Sequence, residues 1–107
     1  MMVVNSPHFY VAREQLAKLT LKYRLPATSM ARLFADAGGA VAYGPDLASA
    51  SERSAALVAK ILAGAKPAEI PVERPTKVNL IVNLKTAKAL GLNIPQSILL
   101  RADEVIR

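Results

Sequence analysis

Tyr43-Gly44-Pro45-Asp46 is the stretch of this chain whose residue types best suit ligand capture. A tyrosine ring stacks on a planar or apolar surface and donates through its hydroxyl. Glycine lets backbone approach closely, and a helix start just beyond offers amide donors to a carboxylate. Arg32 or Lys77, if folding brings either near, supplies a cation for that carboxylate. Tyr43, Gly44, Asp46, Arg32 and Lys77 therefore describe a site for a small amphipathic, amino-acid-like solute rather than a bare metal ion. In the competing structural reading, Tyr43 is packing and Asp46 belongs to a turn or cap.

Other chemistries find less support. The chain has no cysteine, which removes disulfides, thiolate catalysis and cysteine-ligated metal sites. His8 is the only histidine, and with Glu14 alone it does not define a metal site. Ser6-Pro7-His8 lacks the acid partner and strained turn of a hydrolase nucleophile. Gly38-Gly39 has neither P-loop nor dinucleotide spacing, and a tight reversal explains the pair better. Asp103 and Glu104 are adjacent and do not share a helix face, so they make a poor acid–base pair. A non-catalytic protein without a cofactor is expected.

At 107 residues, 52% of them hydrophobic, the chain suits one domain with an adequate core. Its formal charge of +6 would steer anionic partners, but Arg13, Lys18, Lys22, Arg24, Arg53, Lys60 and Lys66 are dispersed. Such scatter argues for solvated faces and against nucleic-acid binding. No run approaches the roughly 18 apolar residues of a membrane span, so no membrane insertion is expected. The opening Met1-Met2-Val3-Val4-Asn5-Ser6-Pro7 lacks the basic start and cleavage region of a signal peptide.

The elements around these residues follow from periodicity. Residues 2–5 read as a short strand, and Ser6-Pro7 as the entrance of a helix reaching about residue 24. In that helix Phe9, Ala12, Leu16, Leu19 and Tyr23 share one face. Pro26 and Ala27 lead into a short strand, Ser29 caps a short helix, and Ala40-Val41-Ala42-Tyr43 forms a buried strand. Ser49 and Glu52 have capping-box spacing for the clearest helix, whose inward stripe is Ala50, Ser54, Leu57, Val58, Ile61 and Leu62. Pro67, Pro71 and Pro75 punctuate a stiff crossover. Beyond it Val78, Leu80 and Val82 point to one side of a strand, and Asn83 or Thr86 starts a helix ended by Gly91. The alternation predicts an α/β fold, a short parallel sheet flanked by helices.

Ordered blocks carry a family likeness: Arg24-Leu25-Pro26-Ala27, Phe34 through Gly39, Tyr43 through Asp46, Ile61 through Glu73, and Pro75 through Pro95 followed by Arg101 through Ile106. In this order they resemble the C-terminal portion of the substrate-binding proteins of ABC transporters, in the periplasmic-binding-protein type I class. The resemblance implies a partial lobe of a two-lobed solute binder that presents its cargo to an ABC permease, and hence a periplasmic setting. It implies a lobe segment at 1–65, a crossover at 66–76, and a terminal strand–helix segment at 77–107. Without a second lobe, Val78, Leu80, Val82, Leu84, Leu90 and Leu92 are expected to need a cover. A complementary lobe or another copy in a homo-oligomer would supply it. The alternative is a structural or regulatory oligomerisation domain that has lost solute binding.

Overall fold

The computed structural model describes residues 1–107. The elements run β1 (Met2–Val3), α1 (Pro7–Val11), α2 (Arg13–Lys22), β2 (Thr28–Ser29), α3 (Arg32–Asp36), β3 (Val41–Pro45), α4 (Leu47–Leu62), β4 (Val78–Asn83), α5 (Leu84–Ala89), α6 (Gln96–Leu99) and β5 (Glu104–Ile106). A single 3₁₀ turn, Pro67–Glu69, lies in the Pro-rich stretch. The five strands form one sheet in the order β1-β2-β3-β4-β5.

The sheet is mixed and mostly parallel. β1 pairs with β2 through Val3 and Ser29, β2 with β3 through Ser29 and Ala42, and β4 with β5 through Val82 and Val105, all in parallel. β3 and β4 run opposite ways, because the Asn83 amide donates to the Ala40 carbonyl while the Asp46 amide donates to that of Lys77. The expected α/β architecture holds, and the antiparallel pair is the departure from an all-parallel sheet.

The chain divides into two compact units, Met1–Gly44 with Asn79–Arg107, and Pro45–Val78. These bounds differ from the expected segments 1–65, 66–76 and 77–107. β4 and α5 belong to the same unit as residues 1–44, because β4 is hydrogen-bonded on both sides within the sheet. Val82 is 0% exposed, so it is covered by the chain itself and needs no second copy. Leu80, Leu84 and Leu90 are half-buried, leaving Val78 and Leu92 as the more exposed members of the expected interface.

The first unit has a core built largely from small residues. Val3, Ala17, Ala27 and Phe34 form one buried cluster, and Ala35, Ala42 and Ile81 form another with Ile106 against it. The long first helix expected from periodicity is broken at Ala12, where the Arg13 guanidinium donates to the Tyr10 carbonyl at 2.9 Å. Its buried residues are Ala17 and Thr20, while Phe9, Leu19 and Tyr23 stay exposed. Ala17 faces Gly38 at ordinary packing distance, a Cβ on Gly38 falling 3.6 Å from that of Ala17. Ser6 caps α1 by accepting from the Phe9 amide, as its position before Pro7 predicts.

A buried polar knot ties the end of β4 to α3. The Asn83 side chain donates to the Ala35 carbonyl at 2.9 Å and accepts from the Thr86 amide at 3.0 Å, capping α5. The Thr86 hydroxyl donates to the Gly38 carbonyl at 3.0 Å. Each bond satisfies a group that would otherwise be stranded away from water.

In the second unit α4 begins two residues before the expected cap. Asp46 occupies the N-cap position in extended backbone, and the Ser49 hydroxyl donates to its Oδ2 at 2.7 Å, so Ser49 supports the cap rather than being it.

Candidate functional site

The carboxyl ends of parallel strands are where open α/β sheets expose loops suited to ligands. In the first unit the register aligns Val3, Ser29 and Ala42 as one buried row across β1, β2 and β3. Val4, Met30 and Tyr43 each follow a member of that row by one position, Val4 and Met30 lying just beyond the ends of β1 and β2. All are open to solvent, at 63%, 51% and 61% exposure. Neighbouring strands lie about 4.8 Å apart, so the row spans roughly 10 Å, the width of a small organic molecule. It carries no charged side chain.

Gly44 secures the close approach of β2 to β3. A Cβ on Gly44 would lie 2.3 Å from the Met30 carbonyl oxygen, so only glycine fits. Its lack of a side chain serves packing within the chain. Gly39 is similar: a Cβ there would meet the Phe34 ring at 2.3 Å. The Gly38-Gly39 pair is a tight reversal over Phe34.

Beside Val4, the loop after β1 and helix α1 border a shallow groove of about 270 Å³ including its open mouth. Asn5, Phe9, Tyr10, Arg13 and Phe34 contribute to its walls. The Arg13 guanidinium lies over the Tyr10 ring, 5.2 Å from its centre. No carboxylate lines this groove.

The remaining sequence candidates have other partners. Arg32 forms a two-pronged pair with Glu104, Nη1 to Oε2 at 2.5 Å and Nη2 to Oε1 at 2.9 Å, and its Nε stands 3.5 Å from Asp36 Oδ2. Hydrogen bonding to Glu104 raises the guanidinium pKa above its ordinary value. Arg32 thus fastens α3 to β5. In the second unit Lys77 Nζ lies 3.4 Å from Asp46 Oδ2. The Ser49 hydroxyl, and secondarily Lys77, hold the Asp46 carboxyl below its ordinary pKa. Asp46 and Lys77 are brought together as a helix-start brace, as the turn-or-cap reading of Asp46 anticipates.

Sequence reasoning singled out Tyr43 and did not single out Val4, Met30 or the Phe9/Tyr10/Arg13 groove. Hydropathy periodicity marks which residues face a core and is silent on which strand ends lie abreast. The available signal was topological: two successive parallel strands put the residues after each strand at the same edge. No group of His, Cys, Asp or Glu side chains is arranged to hold a metal ion. No helix is long and apolar enough to cross a membrane.

Comparison with known proteins supplies the wider context. A family model described as ABC transporter substrate binding protein matches residues 1–106. Among solved structures, a conserved domain protein from Vibrio cholerae superposes with a TM-score of 0.91 at 24% identity, covering 97% of this chain and 35% of that one. An ABC domain from Streptococcus pneumonia, solved in complex with L-Trp, gives a TM-score of 0.89 at 23% identity, covering 98% and 36%. The ligand-free, open form of CD0873, a substrate binding protein with adhesive properties from Clostridium difficile, gives 0.67 at 19% identity, covering 98% and 35%. The chain therefore spans about a third of the length of these structures. No curated protein matches it.

Proposed function

The chain belongs to the ABC transporter substrate-binding protein family, and we propose that it supplies part of the wall of a solute-binding cleft, using Val4, Met30 and Tyr43. Membership describes a binding protein rather than an enzyme, and the fold is that of a periplasmic-binding-protein-like lobe. The observation that carries the reading is the uncharged, exposed row at the carboxyl ends of β1, β2 and β3. A continuous apolar strip at such an edge suits the body of a small organic solute. Hydrophobic contact then supplies affinity, and polar groups from elsewhere fix orientation.

Capture in this scheme needs no covalent step. A second lobe, in the type I arrangement, closes over the solute, and closure changes the surface offered to an ABC permease. The setting is extracytoplasmic, as the family's work requires. The L-Trp in the Streptococcus relative's structure supports an amino-acid-like solute for this chain too. Asp46 and Lys77, already paired with each other, are assigned to bracing rather than contact.

The test is calorimetric titration of amino acids and aromatic carboxylates into the chain assembled with a complementary lobe. Tyr43→Ala should weaken the best binder by about tenfold, roughly 1.4 kcal/mol, while leaving circular dichroism unchanged. Affinity indifferent to both Tyr43→Ala and Met30→Ala would remove the strip from the site.

A further inference from the structure

The formal charge of +6 is not shared evenly between the two units. Met1–Gly44 with Asn79–Arg107 holds nine basic and four acidic side chains, whereas Pro45–Val78 holds five and four. Within the first unit, cations dispersed in sequence converge on the Gly38 loop. A Cβ on Gly38 would lie 3.7 Å from Leu21 Cδ1, and the Thr86 hydroxyl donates to the Gly38 carbonyl at 3.0 Å. Lys22 and Arg24 follow Leu21, and Lys85 and Lys88 flank Thr86. All four are exposed, and none is paired with a carboxylate. Asp36, the acidic residue two positions before Gly38, is engaged by Arg32. The cations stand at the end of the sheet where β3 begins and β4 finishes, since the Asn83 amide donates to the Ala40 carbonyl. That end is opposite the one carrying Val4, Met30 and Tyr43.

Two of the four are placed against local preference. Arg24 has a φ of 53°, in the left-handed region, just past the end of α2. Its amide donates to the Leu21 carbonyl and the Leu25 amide to that of Thr20, a helix ending that glycine makes without strain. Lys85 stands in the first turn of α5, where the helix dipole opposes a cation. Lys22 and Lys88 lie in last turns, and the dipole alone explains them. Local rules therefore ask for no cation at 24 or 85, and such departures concentrate at functional surfaces. Tyr23 and Leu25 flank Arg24 at 64% and 46% exposure, and Lys22 Nζ lies 5.5 Å from the Tyr23 ring centre.

We infer that this pole of the first unit rests on an anionic lipid bilayer. Charge complementarity identifies the occupant. Four unpaired cations, none of them in the walls of the groove beside Val4, suit a broad array of phosphates better than one small anion. A tyrosine with an apolar body and a polar tip, beside an exposed leucine, suits the headgroup boundary. Such contact concentrates the protein at the bilayer that holds the permease. The inference rests on the extracytoplasmic setting proposed above.

Flotation of the full chain with vesicles of equal parts phosphatidylglycerol and phosphatidylcholine tests it. Binding is expected to these vesicles and not to phosphatidylcholine alone, and it should weaken as salt rises. Lys22→Glu with Arg24→Glu, and separately Lys85→Glu with Lys88→Glu, should each lower the partition coefficient by about tenfold or more. Circular dichroism should be unchanged in both. Lys60→Glu with Lys66→Glu makes the same charge change in the other unit and should have a much smaller effect. A loss as large in that control would mean that net charge governs binding, and would overturn the inference. So would absence of binding to the mixed vesicles, or polyglutamate binding the chain at concentrations where the vesicles do not, since the partner would then be an acidic polypeptide. Tyr43→Ala should bind vesicles as the unaltered chain does, so failure of the solute reading leaves this result standing.

Discussion

Asn83 shows how much one side chain organises. Its amide group reaches the Ala35 carbonyl and the Thr86 amide at once, so truncation strands two buried backbone groups. Asn83→Ala is expected to cost about 2–3 kcal/mol in urea unfolding. Gly44→Ala drives a methyl into the Met30 carbonyl and should cost about 1–3 kcal/mol by the same assay. Asn83 was legible as a helix start because an amide before a helical run is a cap signal. Its bond to Ala35, 48 positions away, was not, since no local pattern encodes it. Asp46 yields a pH prediction. Its carboxyl is held below the ordinary value, so its contribution to the start of α4 is full above the usual aspartate range, near pH 4. That contribution is lost as pH falls through the lower folded value. Amide exchange in the first turn of α4 should accelerate on acidification, and Asp46→Asn should flatten this response.

Among the elements, α4 and β4 make opposite cases. The stripe of α4 was plain from spacing, and the sequence placed it inward; the chain alone buries none of it fully, with Ala50 and Leu57 half-covered and Val58 and Ile61 exposed. Periodicity reports that a face wants burial without saying which body buries it. For β4 one side carrying Val78, Leu80 and Val82 was expected to need a cover, and burial in fact increases along the strand until Ile81, Val82 and Asn83 are all enclosed. Sheet neighbours pair a strand's edges, while elements packed on the sheet bury its faces, here most completely at the C-terminal end of β4. These assignments predict a contrast in the isolated chain. Val58→Glu with Ile61→Glu should leave the melting of the first unit unchanged, whereas Val82→Ala should lower its stability by about 2 kcal/mol. Thermal unfolding followed by near-ultraviolet circular dichroism distinguishes the two.

At the scale of the molecule, the order of blocks from Arg24 to Ile106 was enough to reach the family, and the match over residues 1–106 agrees. The division after Gly44 and again before Asn79 was not readable, because the prolines that seemed to mark a crossover lie inside the second unit rather than at its edges. The site was half legible for a related reason: Tyr43 announces itself by type, while Val4 and Met30 join it only through strand register. The most direct test of the account is calorimetry on the chain assembled with the portion of a family member that it does not match, titrated with amino acids and aromatic carboxylates. The account predicts saturable binding that Tyr43→Ala weakens by about tenfold without loss of secondary structure. Absence of saturable heat from every solute in a correctly assembled, cooperatively melting complex would contradict it.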